Sequence, residues 1–219
     1  MKTRNQQVRL GLGAVGLFAV LVTPALGSAQ EVEVSANVGW VSEYLYRGLP
    51  QKTSSGSAGL DIGIGNAYMG TWAADVGDGN EVDLYAGLGT ESGAFSVSVG
   101  GTGYFYTGGF DDTYLEGNLN AGYGALSAEF SLGKYDTEPE YQTYWFAGIT
   151  LEGAGLYATV GTFGRDFDGE YFEAGYGVSV GGLDLSAAWV HGNKDLGVFI
   201  EGADGDTLVF GISHSLGIS

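Results

Sequence analysis

The stretch from Glu170 to Val190, EYFEAGYGVSVGGLDLSAAWV, decides the fold. Two runs of apolar residues alternate in it with small or polar ones, Phe172, Ala174, Tyr176, Val178 and Val180, then Leu183, Leu185, Ala187 and Trp189. A period of two puts successive side chains on opposite faces of a β-strand. Gly181-Gly182 joins the two runs and predicts a tight hairpin turn, because glycine tolerates positive φ.

The same pattern recurs along the chain and predicts about twelve strands. Short connections join some of them, namely Gly65-Asn66, Glu91–Gly93, Gly124-Ala125, Glu152–Gly155 and Gly181-Gly182. Longer ones alternate with these, namely Gly48–Ser57, Val76–Asn80, Thr107–Asp112, Asp136–Glu140, Gly164–Gly169 and Gly192–Gly205. This alternation is typical of an all-β, antiparallel, up-and-down transmembrane β-barrel, in which short turns face one side of the membrane.

The first 29 residues have the composition of a signal peptide. Lys2, Arg4 and Arg9 precede the apolar run Leu10–Val22, and Gly27-Ser28-Ala29 follows as a small-x-small cleavage site. The apolar run is too short to span a bilayer as a helix. We therefore expect a cleaved signal peptide over residues 1–29 and an outer-membrane barrel domain over 30–219.

Composition excludes several classes of protein. The 219 residues include 41 Gly and no Cys, and 26 acidic residues stand against 8 basic ones, a formal net charge of -18. The lack of cysteine removes disulfide frameworks and cysteine-based metal sites. A nucleic-acid partner is not expected, because nucleic-acid binding needs a basic surface. Cleavage after residue 29 would leave five basic residues, Arg47, Lys52, Lys134, Arg165 and Lys194.

The alternating pattern alone does not say which face of the strands meets water. A soluble barrel also alternates, and its aromatic residues would then fill a core. The apolar stripes favour the membrane interpretation, because a soluble outer face normally carries charges of both signs. Aromatic residues also gather near strand ends, where they would form the belts at the two membrane interfaces. The predicted interface residues are Trp40, Tyr44, Tyr46, Trp145, Tyr171 and Trp189.

A family resemblance covers the first part of the predicted barrel. The segment SANVGWVSEYLYRG, residues 35–48, with Gln51 after it, is similar to the opening strand of the TorF family of porins, whose core pattern is vSdYvyRGisQ. Residues 59–61, 68–76 and 81–87 resemble that family's next segments. Leu49-Pro50 departs from the pattern. The resemblance implies a Gram-negative outer-membrane barrel with porin activity.

The strand phase assigns a set of polar residues to the interior. If the apolar stripes face lipid, the pore-lining residues are Glu43, Arg47, Asp61, Asp83, Glu116, Asn118, Glu129, Glu173 and Asp184. Carboxylates dominate this set, and rings of carboxylates favour cations. We therefore predict passive diffusion of small hydrophilic solutes or cations through a narrow lumen. In the alternative, the acids pair with Arg47, tyrosine hydroxyls and Asn118 or Asn120 inside a closed plug, and the barrel is non-conducting with a structural or adhesion role.

Residues that could carry chemistry are few. His191 and His214 are the two histidines, and neither has a nucleophile at a spacing that predicts a catalytic set. No cofactor, metal centre or enzyme activity is expected. Acidic loops such as Asp166-x-Asp168-Gly169-Glu170 offer oxygen ligands but lack an EF-hand spacing, so solvated loops or loose divalent bridging to lipopolysaccharide are the alternatives. Outer-membrane lipid and lipopolysaccharide are the expected partners; the sequence gives no oligomeric state.

Overall fold

Twelve antiparallel strands close into a single barrel in a computed structural model that describes residues 32–137, 142–196 and 204–218. Each strand pairs with the next along the chain, and β1 closes the circle against β12. The predicted fold class and strand number are confirmed. The predicted signal peptide lies outside the described residues.

The strands are mostly 10 to 16 residues long, enough to cross a bilayer at a tilt. Their bounds are β1 Val32–Tyr46, β2 Leu49–Ile64, β3 Ala67–Gly77, β4 Gly79–Ser92, β5 Phe95–Tyr106, β6 Tyr114–Tyr123, β7 Leu126–Tyr135, β8 Thr143–Gly153, β9 Leu156–Arg165, β10 Gly169–Val180, β11 Leu183–Gly192 and β12 Gly205–Gly217. One short 3-10 helix, Lys194–Leu196, follows β11. No helix in the described part of the chain is long and apolar enough to span a membrane.

The barrel has two distinct ends. Two-residue connections such as Gly124-Ala125 and Gly181-Gly182 lie at one end, here called the turn end. The longer connections, such as 107–113 and 166–168, lie at the other, here called the loop end. The loop end also holds the junction between β1 and β2.

The outer wall is apolar all around the barrel. Large hydrophobic side chains are exposed on successive strands, among them Val38, Leu84, Leu119, Ile149 and Leu208. A continuous apolar surface of this kind is a lipid-facing surface, since water-soluble monomers expose only small apolar patches. Where β1 pairs with β12, closure leaves no unpaired sheet edge, so the strands can cross lipid there with their backbone hydrogen bonds made.

Inside the barrel, aromatic rings lie directly on glycines of the neighbouring strand. A Cβ atom added at Gly133 would come within 2.1 Å of the Tyr144 ring. The same contact would be 2.6 Å for Gly70 with Tyr85 and 2.4 Å for Gly175 with Tyr157. These glycines are needed because any side chain would occupy the space of the ring. The high content of both glycine and tyrosine thus has a common structural cause.

The β1–β2 junction differs from the predicted loop at Gly48–Ser57, which is wrong. β2 begins at Leu49, so Arg47 and Gly48 alone make the turn, with φ of 47° and 81°. Pairing of β1 with β12 ends at Val41, and pairing of β2 with β3 begins only at Ser57. The segment between these points therefore leaves the wall, and residues 44–49, here called the inner hairpin, enter the barrel.

Candidate lumen site

The inner hairpin crosses the lumen and packs against the far wall. Tyr44 and Leu45 are each 1% exposed although they lie near the end of a strand. Leu45 packs with Val190 and Val209, which line the interior beside β1. A Cβ at Gly48 would approach Tyr171 to 2.7 Å, so the turn itself presses on β10. The hairpin therefore lies inside the barrel.

Arg47 at the hairpin turn is clamped by two carboxylates from β6 and β7. Its Nη1 donates to Glu116 at 2.5 Å and its Nη2 at 3.1 Å, in the two-pronged geometry that suits guanidinium and carboxylate. Nη2 also donates to Glu129 and, at 3.1 Å, to the Ser131 hydroxyl. The guanidinium lies 4.2 Å from the centre of the Phe146 ring. Since Ser131 is at mid-length of β7, the clamp lies near the middle of the barrel.

Glu116 is the centre of a wider hydrogen-bond network. Tyr144 donates to it at 2.5 Å and Tyr104 at 3.2 Å. The Asn118 amide donates to it at 2.9 Å and to Ser131 at 3.0 Å. The Glu116 side chain is 0% exposed. These hydrogen bonds take the place of those that the carboxylate would make to water, and so reduce the free-energy cost of burying it.

A second acidic pair lies on β4, beside the first residue of the inner hairpin. Glu81 accepts hydrogen bonds from Tyr44 at 2.5 Å and from Tyr106 at 2.9 Å. Asp83, two residues further on the same face, is 7% exposed. Its Oδ1 is the one buried side-chain oxygen or nitrogen without a hydrogen-bond partner among the described residues. The interior therefore holds more acceptor than donor capacity on this side.

Nearer the turn end, the interior acids are held singly against the wall. Tyr85 donates to Asp61, Tyr157 donates to Glu173, and Ser179 donates to Asp184. The first two donors are the tyrosines that lie on glycines of the next strand. These carboxylates are thereby spread around the circumference instead of meeting at one point.

The predicted pore-lining set thus divides into three groups. Arg47, Glu116, Asn118 and Glu129 come together in the clamp, and Asp83 lies on β4 next to the Glu81 position. Asp61, Glu173 and Asp184 face the interior separately. Glu43 is apart from all of them: it is half-buried at the base of the hairpin, where its carboxylate accepts a hydrogen bond from Thr53 at 3.0 Å.

Three of the predicted interface aromatics are not at the membrane interface. Tyr44 and Tyr46 are buried in the lumen, and Tyr171 packs against the interior with its ring 6.4 Å from that of Phe146. For the first two the reason is that β1 leaves the wall, so its alternation no longer marks a lipid face. Tyr171 lies two residues before the interior Glu173 on the same strand, so the alternation in the sequence already indicates that its side chain faces inward. Trp40, Trp145 and Trp189 lie on the outer face.

The sequence interpretation also missed residues of the site. Glu81 was not among the predicted interior residues, yet it begins the inward face of β4 that Asp83 continues. Tyr104 and Tyr144 were not singled out, although their rings and hydroxyls build the network around Glu116. The signal was available for Glu81, which lies two residues before Asp83 on the same strand. Strands β5 and β8, which carry Tyr104 and Tyr144, hold no residue of the predicted pore-lining set.

An aromatic depression, here called the aromatic cup, opens above the clamp at the loop end. Its cavity is about 40 Å³ and its walls include Tyr106, Asp111, Tyr114, Tyr135, Tyr144 and Phe167. Asp111, in the loop between β5 and β6, accepts a hydrogen bond from Tyr135 at 3.1 Å. Burial raises the pKa of Asp111, and hydrogen bonds from the Asp112 amide and Tyr135 oppose that rise. By contrast, hydrogen bonds from the Thr143 amide and hydroxyl lower the pKa of Asp166 on the neighbouring rim.

The histidines and loop acids make local contacts. His191 Nδ1 lies 3.0 Å from Asp206 on the next strand, and His214 Nδ1 lies 2.6 Å from the Gly182 carbonyl oxygen. Within the described ranges, no three side chains among His, Asp and Glu are grouped to hold a metal ion.

An apolar outer wall around a polar interior defines a transmembrane β-barrel. The chain belongs to the bacterial family Gcw_chp, a family of unknown function whose profile matches residues 25–209. No curated protein matches it. Because the family description names no activity, the resemblance to the TorF porins stays a prediction.

Solved structures resemble this chain at low sequence identity. A structure from work on in-meso crystallisation of membrane proteins is 11% identical, with a TM-score of 0.59 over 85% of this chain and 84% of that one. Pseudomonas aeruginosa OccK1 is 14% identical, with a TM-score of 0.42 over 76% of this chain and 58% of the other. Pseudomonas aeruginosa OprD is 15% identical, with a TM-score of 0.40 over 86% and 67%. The first likeness supports the barrel fold alone, and the two looser ones carry no argument here.

Proposed function

We propose that this protein is a narrow outer-membrane channel for small hydrophilic solutes or ions, that it favours cations, and that the inner hairpin is its gate. The observation that carries the proposal is the buried interior carboxylates of Asp61, Glu81, Asp83, Glu116 and Glu173 inside an apolar-walled barrel. Burying carboxylates costs free energy, and a barrel serving only as an anchor gains nothing from them.

The gating part of the proposal rests on the inner hairpin. Arg47 fills the barrel at mid-height, so passage requires the hairpin to move. The backbone of the hairpin is attached to the wall only at its base, because its pairing with β12 and β3 stops at Val41 and Ser57, and side chains alone hold the rest. When Arg47 leaves, Glu116 and Glu129 would stand free in a widened lumen and attract cations.

Location and chemistry follow the same reasoning. Acidic loops at one end and two-residue turns at the other match an outer-membrane barrel with its turns toward the periplasm. In that orientation the loop end faces outward, toward lipopolysaccharide. The interior supplies charge and hydrogen bonds rather than a nucleophile with its base, so we propose a channel and no enzyme.

One observation favours a second candidate, a permanently closed barrel with a structural role. The clamp unites Arg47 with two carboxylates, a hydroxyl and a ring, and breaking such a buried pair costs about 3–5 kcal/mol when one partner is removed. If the hairpin never leaves, the barrel does not conduct.

Planar bilayers with a KCl gradient across them separate the two candidates. We expect infrequent, small openings whose reversal potential has the sign of a cation-selective pore. A reversal potential of the opposite sign contradicts the cation preference. If bilayers that contain the folded protein show no conductance, the closed barrel is favoured.

A further inference from the structure

The aromatic cup lies above the clamp, shares Tyr144 with the network around Glu116, and is also lined by Tyr46 and Leu49 of the inner hairpin. Tyr114 stacks between Tyr104, at 4.2 Å between ring centres, and Tyr135, at 4.7 Å. Phe167 continues the stack beyond Tyr135 at 5.5 Å. A continuous series of rings therefore leads from the loop end down to the Glu116 network.

The polar groups of the cup are directed at carboxylates. Tyr106 donates to Glu81, Tyr135 to Asp111 and Tyr144 to Glu116. The Gln51 amide donates to the Leu49 carbonyl at 3.2 Å. Because these donors are engaged, the cup presents ring faces and carboxylate oxygens to a ligand. Both attract positive charge and neither suits an anion.

The size of the cup restricts the ligand further. A cavity of about 40 Å³ holds roughly three water molecules at about 10–15 Å³ each. The head group of an alkylammonium ion is of that size. Such an ion is only weakly hydrated on its methyl side, so ring faces can replace its water at little cost.

We propose that the aromatic cup is a binding site for small organic ammonium ions, with Asp111 as the counter-ion and Tyr135 and Phe167 as the ring walls. The role of the site as an entry point for the channel rests on the proposed function, but binding itself needs no conduction. The Tyr135 hydroxyl donates to Asp111 and directs this exposed acid toward the cup, whereas Asp112 beside it, also exposed, accepts a hydrogen bond from Thr137.

Saturation-transfer NMR on the methyl protons of methylammonium, with the folded mature protein in detergent, tests the proposal. We expect saturable transfer that excess KCl competes for only weakly. Asp111→Asn should weaken binding by about tenfold, because a hydrogen bond to a charged group is worth roughly 1.5 kcal/mol or more. Phe167→Leu should also weaken it, since it keeps the apolar volume and removes the ring.

Asp112→Asn is the matched control, with the same change of charge one residue away on an exposed side chain. It should leave methylammonium binding within about twofold of the parent, as expected for a screened surface charge. Equal weakening by Asp111→Asn and Asp112→Asn would overturn the proposal in favour of general surface charge. Stronger transfer to methyl glucoside than to methylammonium would overturn it in favour of a sugar site.

Bilayer recordings keep this proposal separate from the proposed function. Methylammonium binding without any conductance contradicts the channel and leaves the ammonium site in place. Conductance without saturable methylammonium binding contradicts the ammonium site and leaves the channel in place. For each variant, the shift in gel migration between heated and unheated samples shows that the barrel has folded.

Discussion

Arg47 is the residue that ties the inner hairpin to the far wall of the barrel. Among the described residues of the clamp, Arg47 is the basic one. It faces two carboxylates, so the negative charge of the clamp exceeds the positive charge. A buried ion pair of this kind stabilises little compared with apolar packing, but losing one partner leaves the other exposed to a large desolvation cost. The clamp is therefore suited to a switch: it is stable while complete and unfavourable once broken.

Arg47→Gln should open the barrel. Glutamine cannot neutralise Glu116 and Glu129, so these carboxylates gain by admitting water and the hairpin loses its hold. A loss of about 1.4 kcal/mol from the closed state raises the open fraction roughly tenfold. Single-channel recordings at fixed voltage measure that fraction.

Lys52→Gln serves as the control for this prediction. Lys52 lies at the base of the same hairpin and pairs with Asp75 on the wall, outside the clamp. Lys52→Gln removes the same positive charge as Arg47→Gln, and we expect its open fraction to stay at the parent level. An equal increase in both variants would mean that the charge of the hairpin, and not the clamp, sets the opening.

At the scale of the element, much of the barrel follows from the sequence. The runs Phe95–Tyr106 and Leu126–Tyr135 alternate cleanly, and both strands have those bounds in the structure. The segment 48–57 was misread as a loop because it shows no alternation of apolar residues; before Ser57 it pairs with β1 and not with β3. Phase read within one strand also could not show that Arg47 meets β6 and β7, which lie across the barrel.

The contact between a ring and a glycine can be tested in β7. Gly133→Ala should destabilise the folded barrel by about 1–3 kcal/mol, because the added methyl group collides with the Tyr144 ring and overpacks the interior. Urea titration of the barrel in lipid vesicles measures this loss.

Gly117→Ala is the partner experiment on the adjacent strand. A Cβ at Gly117 meets nothing within 4 Å, so this variant should match the parent within about 0.5 kcal/mol. If the two alanine variants lose the same stability, the loss comes from the strand backbone and the ring contact does not explain it.

At the scale of the whole molecule, the apolar wall fixes how the barrel sits in lipid. Leu119 lies in the middle of β6 and Leu115 near its loop end, and both side chains are exposed on the outer face. The cost of a charge on a lipid-facing wall depends on depth, about 2–4 kcal/mol at the bilayer centre and about 0–1 near the interface.

Leu119→Arg should therefore lose about 2–4 kcal/mol of folding free energy in vesicles, and Leu115→Arg much less. Folding titrations of both variants in vesicles measure the difference. Equal and small losses would argue that this face of the barrel meets water.

The rings that lie on glycines also bear on how the barrel finds its alignment. Tyr144 stands directly opposite Gly133, and Tyr85 directly opposite Gly70. A slip of two residues would set Tyr144 against Ser131 or Tyr135, and Tyr85 against Tyr68 or Trp72, each of which has a side chain where the ring must lie. Neighbouring strands that zip together out of step thus meet an immediate steric penalty. The ring–glycine pairs therefore disfavour wrong strand registers during insertion, and they favour the one register in which every ring lies on its glycine.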